Sequence, residues 1–148
     1  MIALLQRVTE ASVVVQGRQI AAINTGLLVL FGIEKGDSEK EVERLVDKLL
    51  KYRVFADKDD KMNLSLQDIA GELLMVPQFT LAADTGKGLR PSFSSAASPE
   101  EGQRLFEVAL KIAKKSLNTV QSGQFGADMK VSLTNDGPVT FWLQVTAA

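Results

Sequence analysis

The sequence contains no histidine and no cysteine. Without histidine, the chain lacks the commonest general base, the central member of a Ser-His-Asp triad and the usual imidazole ligands of zinc. Without cysteine, it has neither a disulfide framework nor a thiol nucleophile. Any chemistry must therefore use hydroxyls, carboxylates, amides, lysines, the backbone or the substrate itself, and we expect no metal site and no cofactor.

Long apolar runs and a strong excess of one charge are also missing. No apolar run approaches the ~18 residues that a membrane span requires, and the first residues lack the basic and apolar regions of a signal peptide. The cytoplasm is therefore the expected location, with no membrane partner. A formal net charge of −1 argues against a broad basic surface, so we expect no DNA partner and only a small contact with any RNA.

What the chain does contain is typical of one globular domain spanning residues 1–148, with 45% hydrophobic and 24% charged residues. Helical spacing of apolar residues begins after Ser38 and again after Ser98, and each serine is followed three residues later by a glutamate, which predicts two capping boxes. Apolar and alternating segments predict strands at 2–9, 11–15, 18–23, 26–33, 52–56 and 71–81. The pattern predicts an α+β fold, with a strongly bent antiparallel or mixed sheet, or an open β-barrel, and two packed helices.

The most informative stretch is the break Asn-Asp-Gly-Pro at residues 135–138. It separates two segments that alternate apolar and polar residues, 129–134 and 139–145, and this predicts a tight turn joining two strands. Glycine permits unusual backbone angles, proline fixes φ and lacks an N–H, and their peptide bond is of a kind that is sometimes cis. From chemistry alone, an ordinary connection between strands is the more common explanation.

A second informative stretch is the predicted strand 71–81. In an extended strand Gln78 and Thr80 point the same way, roughly 7 Å apart, and an amide beside a hydroxyl suits a polar ligand. The alternative is hydrogen bonding inside the sheet. Pro77 lacks an N–H for a ladder, so this part of the strand is expected at an edge or bulge. The following segment 82–97 is predicted to be a long loop, and long loops in compact domains are usually functional.

Both stretches resemble motifs of one enzyme family. Residues 135–140 resemble the Asn-x-Gly-Pro-Val-Thr motif of the D-aminoacyl-tRNA deacylases, also called D-tyrosyl-tRNA deacylases, and residues 77–80 nearly match the Ser-Gln-Phe-Thr motif of the same family. The motifs stand in the family's order, and the resemblance runs from Gln6 to Val145. Pro77 is the departure, because it replaces a serine.

The resemblance implies a homodimer that hydrolyses the ester between a D-amino acid, or glycine, and the 3′ end of tRNA. It implies that a cis peptide between Gly137 and Pro138 enters the site of the partner subunit and rejects L-amino acids. Gln78, Phe79 and Thr80 would then line the ester and the terminal adenosine as catalytic residues. We expect backbone amides near Phe79 and Thr80 to stabilise the oxyanion, with the ribose 2′-hydroxyl helping to activate water.

Three alternatives remain open at this stage. Arg7 is either an edge residue whose charged end reaches solvent or, together with Pro77 and Asn135, a support for a site or a dimer contact. The chain is either a deacylase or a dimeric binding module that holds an RNA end or small metabolite without chemistry. Thr80 either takes no part in the reaction or is the nucleophile of a hydrolase for a different ester, although no residue is an evident base to activate it.

Overall fold

The computed structural model describes residues 1–147 and contains one bent six-stranded sheet, a two-stranded ribbon and two α-helices. The strands are β1 (Ile2–Val15), β2 (Arg18–Ile23), β3 (Gly26–Gly32), β4 (Phe55–Ala56), β5 (Met62–Leu64), β6 (Glu72–Pro77), β7 (Val120–Ser122) and β8 (Lys130–Gln144). The helices are α1 (Glu39–Lys51) and α2 (Pro99–Ser116), and a short 3₁₀ helix spans Phe79–Ala82. No helix within this part of the chain is long and apolar enough to cross a membrane.

Strand β1 organises the sheet, because it pairs with three other strands. Along one edge its first half pairs with β3 and its second half with β2, while β8 runs along the other edge. These pairs are antiparallel, whereas β3, β6 and β7 are parallel neighbours. Because its two halves pair with different strands along the same edge, β1 must bend between β3 and β2. The predicted α+β fold with a strongly bent mixed sheet and two helices is therefore confirmed.

The two helices begin where the serines predicted, but only one serine caps its helix as expected. The Ser98 hydroxyl accepts a hydrogen bond from the amide of Glu101 at 3.3 Å, and Pro99 is the first residue of α2. At α1 the Ser38 hydroxyl instead donates to the Glu41 carboxylate at 2.7 Å, so its oxygen caps no amide. Both helices bury one apolar stripe against the sheet in a large core.

The break at residues 135–138 is not a turn between two strands, which corrects the prediction. Both arms belong to β8, and both pair with β1: Asn135 pairs with Val8, and Thr140 pairs with Gln6. Arg7 alone therefore lies opposite residues 136–139, which form a large bulge. The apolar residues before the bulge pack in a small core, while Val139, Leu143 and Val145 pack in the core beneath the helices. The bulge lets one strand contribute to both cores.

The predicted strand 71–81 is also shorter than expected. It ends at Pro77, and the chain then turns into the 3₁₀ helix, so Gln78 and Thr80 do not project from one strand face. The turn passes over Gly32, where a Cβ would lie 2.9 Å from the Cβ of Leu81. Pro77 lies at the end of β6, beyond the last residue that pairs with β7, so it withholds no N–H from that neighbour. Two smaller differences are that 2–9 and 11–15 form one strand and that 52–56 contains only β4.

Candidate active site

A cavity of about 430 Å³ opens where β3 and β6 end and α2 begins. None of the residues that line it has an ionisable side chain, and most are aromatic or small. The lining consists of Phe31, Ile33, Pro77, Gln78, Phe79, Phe93, Ala96, Ala97, Ser98, Pro99, Gly102, Phe125 and Gly126. Such a cavity suits a flat, uncharged group, and polar atoms reach it mainly from the segment that follows Pro77.

The segment after Pro77 presents both polar side chains and free amides. The amide of Gln78 is the last one paired with β3, donating to the Phe31 carbonyl at 2.9 Å. The Gln78 side chain donates a hydrogen bond to the Thr80 hydroxyl, so the predicted pair does meet, through the 3₁₀ turn and not along a strand. Among residues 1–147, no hydrogen-bond acceptor is found for the amides of Phe79 and Thr80. Amides at the first positions of a helical turn lack partners within it and are available to a ligand.

Four phenylalanine rings line the cavity, and only Phe79 among them was predicted as a site residue. Phe79, which is 60% exposed, packs against Phe93 with ring centroids 5.2 Å apart. Phe125 closes the opposite side, within 3.1 Å of where a Cβ on Gly102 would lie. The signal that would have indicated Phe93 and Phe125 is an aromatic residue inside a segment rich in glycine and serine, where no periodic core face demands one.

The bulge in β8 projects an exposed corner formed by Gly137 and Pro138, whose peptide bond is cis. Arg7 holds one side of it, because its Nε donates to the Asp136 carbonyl at 3.0 Å and its Nη1 to the Val54 carbonyl at 2.7 Å. The Arg7 side chain is only 16% exposed, so it is not an edge residue that reaches into solvent.

Asn135 holds the other side of the bulge. Its Oδ1 accepts from the Val139 amide at 2.7 Å, and its Nδ2 donates to the Thr140 hydroxyl at 2.8 Å. The predicted site residues therefore form two groups. Pro77, Gln78 and Phe79 line the cavity, and Thr80 is not in the lining but is hydrogen-bonded to Gln78. Arg7 and Asn135 support the corner. The corner is not part of the cavity lining of its own chain.

The family model described as D-Tyr-tRNA(Tyr) deacylase matches residues 4–144 of this sequence. The chain belongs to this deacylase family. The D-aminoacyl-tRNA deacylase of Marinomonas sp. (strain MWYL1) is 61% identical over 140 residues, covering 95% of this chain and 97% of that protein. The D-aminoacyl-tRNA deacylase of Nitrosococcus oceani is 60% identical over 148 residues, covering 100% of this chain and 96% of that protein.

Solved structures share the fold of this deacylase family member. The structure named c-Myc DNA Unwinding Element Binding Protein has a TM-score of 0.95 at 42% identity, covering 99% of this chain and all (100%) of the other. The structure of a probable eukaryotic D-amino acid tRNA deacylase has a TM-score of 0.82 at 17% identity, covering 97% and 98%, and supports the fold alone. The family resemblance found in the two sequence motifs is thus confirmed over nearly the whole chain.

Proposed function

We propose that this protein is a proofreading hydrolase that cleaves the ester between a D-amino acid, or glycine, and the 3′ end of tRNA. The observation that carries the proposal is the match to the deacylase family over residues 4–144, joined by deacylases about 60% identical along the full chain. We further propose that residues 1–148 act as one deacylase domain in the cytoplasm, where aminoacyl-tRNA is used.

The cavity supports binding of the terminal adenosine and its ester. Phe79 and Phe93 offer ring faces for a base, and base–aromatic stacking is worth about 1–3 kcal/mol. The free amides of Phe79 and Thr80 would then donate to the ester carbonyl as it develops negative charge. Because Pro77 leaves both amides in place, we expect activity to survive the loss of the serine found in the family motif.

The chemistry proposed here does not depend on a protein nucleophile. The Thr80 hydroxyl accepts its hydrogen bond from the side-chain amide of Gln78, and a side-chain amide is not a base that removes a hydroxyl proton. An aminoacyl ester is already activated, so polarisation of its carbonyl combined with an oriented water is a sufficient mechanism. The terminal ribose 2′-hydroxyl of the substrate would help to activate that water.

Discrimination between D and L substrates is proposed to come from the corner formed by Gly137 and Pro138. The corner is exposed, and the backbone on both sides of it is fixed by hydrogen bonds: Arg7 donates to the Asp136 carbonyl, and Asn135 accepts from the Val139 amide. A rigid main chain placed against the substrate's α-carbon would leave an L side chain no room, which is selection by exclusion. Glycine has no side chain, so the same corner would not exclude it.

The corner would act in the cavity of a second copy, because it lies outside the cavity of its own chain. A row of apolar side chains on the same strands supports a homodimer. Trp142, Leu4 and Leu30 are direct cross-strand neighbours on β8, β1 and β3, and Trp142 is 52% exposed. An exposed tryptophan in such a row is typical of a protein contact.

The test is hydrolysis of matched D-tyrosyl-tRNA and L-tyrosyl-tRNA, with glycyl-tRNA as a third substrate. We expect release of D-tyrosine and glycine and near absence of release of L-tyrosine. Equal turnover of the two mirror-image esters would refute the stereochemical part of the proposal. Tight binding of the D ester without release of amino acid would instead support the binding module considered from the sequence.

A further inference from the structure

The loop of residues 84–92 stands beside the cavity as a small, well-closed projection. The amide of Asp84 donates to the Ser92 carbonyl at 2.7 Å, and the Ser92 amide donates back to the Asp84 carbonyl at 3.0 Å. The carboxylate of Asp84 accepts from the Gly86 amide at 2.8 Å. The next residue, Phe93, lines the cavity, so this loop, which we call the basic loop, begins at the cavity rim.

The tip of the basic loop carries cations and an apolar side chain that have no role inside the chain. Lys87 and Arg90 are exposed, and within residues 1–147 neither forms a hydrogen bond or an ion pair. Leu89 between them is fully exposed, at 103% of its reference area. Asp84, whose carboxylate accepts from the Gly86 amide, is the only acidic residue of the basic loop, so the loop keeps a net charge of +1.

The opposite rim of the cavity, at the start of α2, has the other sign. Glu100 is exposed there, and Glu101 and Glu39 share the single cation of Arg104. The Arg104 guanidinium lowers the pKa of Glu101, which therefore stays ionised. Since the cavity lining has no ionisable side chain, a phosphodiester chain that leads into it meets repulsion on one rim and attraction on the other.

We propose that the basic loop is the entry surface for the single-stranded 3′ end of the tRNA, with Lys87 and Arg90 each binding a phosphate. Leu89 packs on a base or ribose of the same strand. This inference rests on the function proposed above, and it adds the direction from which the substrate arrives. Arg90 is three residues from Phe93, a span of at most about 10 Å, so its guanidinium reaches the nucleotides next to a base held in the cavity.

The decisive experiment compares two substrates and two double variants. The first variant, Lys87→Gln with Arg90→Gln, removes both cations of the loop. The control, Lys111→Gln with Lys114→Gln, makes the same change of charge on exposed positions of α2. Lys111 is twelve residues beyond Pro99, so it lies about 18 Å along the helix from the cavity.

The substrates are D-tyrosyl-tRNA and D-tyrosyl adenosine, which has the ester but no phosphate. For the tRNA, we expect the loop variant to reduce kcat/KM about tenfold at low salt. The slope of log kcat/KM against log salt should become shallower by about 1.4, since each phosphate contact on a single strand contributes about 0.7. For the adenosine ester, and for the control variant with either substrate, kcat/KM should match the wild type. Leu89→Ser should weaken tRNA hydrolysis without changing the salt slope.

The outcomes separate this inference from the function on which it rests. If the wild type hydrolyses both esters and the loop variant keeps the wild-type salt slope, the entry surface is wrong while the proposed function stands. If the loop variant loses activity equally on the adenosine ester, the loop acts on the cavity and not on phosphates, which also overturns the inference. If the wild type hydrolyses neither ester, the proposed function fails and the entry surface fails with it.

Discussion

Replacing Gly137 with alanine places a Cβ where the corner has no room for one. The backbone of Gly137 has φ +136°, a region that residues with side chains rarely adopt. The added Cβ would lie 2.7 Å from Cγ2 of Val139 and 3.2 Å from Nη2 of Arg7. Val139 is buried, so its side chain cannot move aside into solvent. Either the fold absorbs this contact at a cost in stability, or the corner moves.

The size of the effect follows from two separate contributions. A strained backbone angle costs about 1–3 kcal/mol, and overpacking a filled site costs about 1–3 kcal/mol. The free energy of unfolding should therefore fall by about 2–6 kcal/mol if the corner keeps its place. If the corner shifts instead, the loss of unfolding free energy is nearer the lower figure. The preference for D over L substrates should then decrease, because the main chain no longer stands where we propose that it excludes an L side chain.

The assay pairs urea unfolding with the ratio of kcat/KM for D-tyrosyl-tRNA and L-tyrosyl-tRNA. Gly17→Ala is the matched control, because Gly17 has φ +74° and nothing lies within 4 Å of the added Cβ. The free energy of unfolding of this control should fall by only about 1–2 kcal/mol, from the left-handed backbone alone. Its ratio of kcat/KM for the D and L substrates should be unchanged. If Gly137→Ala had the stability and the D-to-L ratio of the wild type, the rigid-corner argument would be refuted.

Three further changes test other parts of the structure. Thr80→Ala should retain most of kcat, since the proposed oxyanion donors are backbone amides; a loss of about a thousandfold in a folded variant would make the hydroxyl the nucleophile. Trp142→Glu should sediment as a monomer and lose activity, because a charge in the proposed contact opposes pairing; an unchanged dimer contradicts this. Hydrogen bonds from the Ser65 amide and hydroxyl hold the pKa of Asp68 below its usual 3.8, so its stabilisation is complete above that pH and is lost as pH falls through the lower folded value. Urea unfolding from neutral pH to about pH 2.5 should therefore show the stability difference between wild type and Asp68→Asn shrinking in acid; a constant difference would be inconsistent with the lowered pKa.

The features that could be read from the sequence are those set by neighbours along the chain. Both helices begin at the residues that follow Ser38 and Ser98, since caps and helical spacing are local. The connection between the predicted strands 11–15 and 18–23 is likewise local, and its two residues, Gln16 and Gly17, both have positive φ in the structure. Element type was therefore predictable wherever a strong pattern lay between clear boundaries.

The misread features are those set by contacts between distant segments. The break at 135–138 signals irregular backbone, but it does not say that both arms pair with β1, which depends on Gln6 and Val8 far away in the sequence. Alternation of apolar residues continued through Phe79 and Leu81, yet the strand ends at Pro77 because the chain folds over Gly32. In both cases the residues were identified and their partners were not.

Contacts between distant segments also explain how a chain without histidine can be expected to select its substrate. Two side chains hold the residues around the corner. Arg7 donates to the Asp136 carbonyl, while Asn135 accepts from the Val139 amide and donates to the Thr140 hydroxyl. Both supports lie outside the exposed corner, so the surface offered to a ligand there consists of main chain and a proline ring. Main-chain atoms have no rotamers to change, and a surface held from behind resists displacement by a misfitting side chain. Selection by such a surface requires position and stiffness, and no titratable group is needed for either.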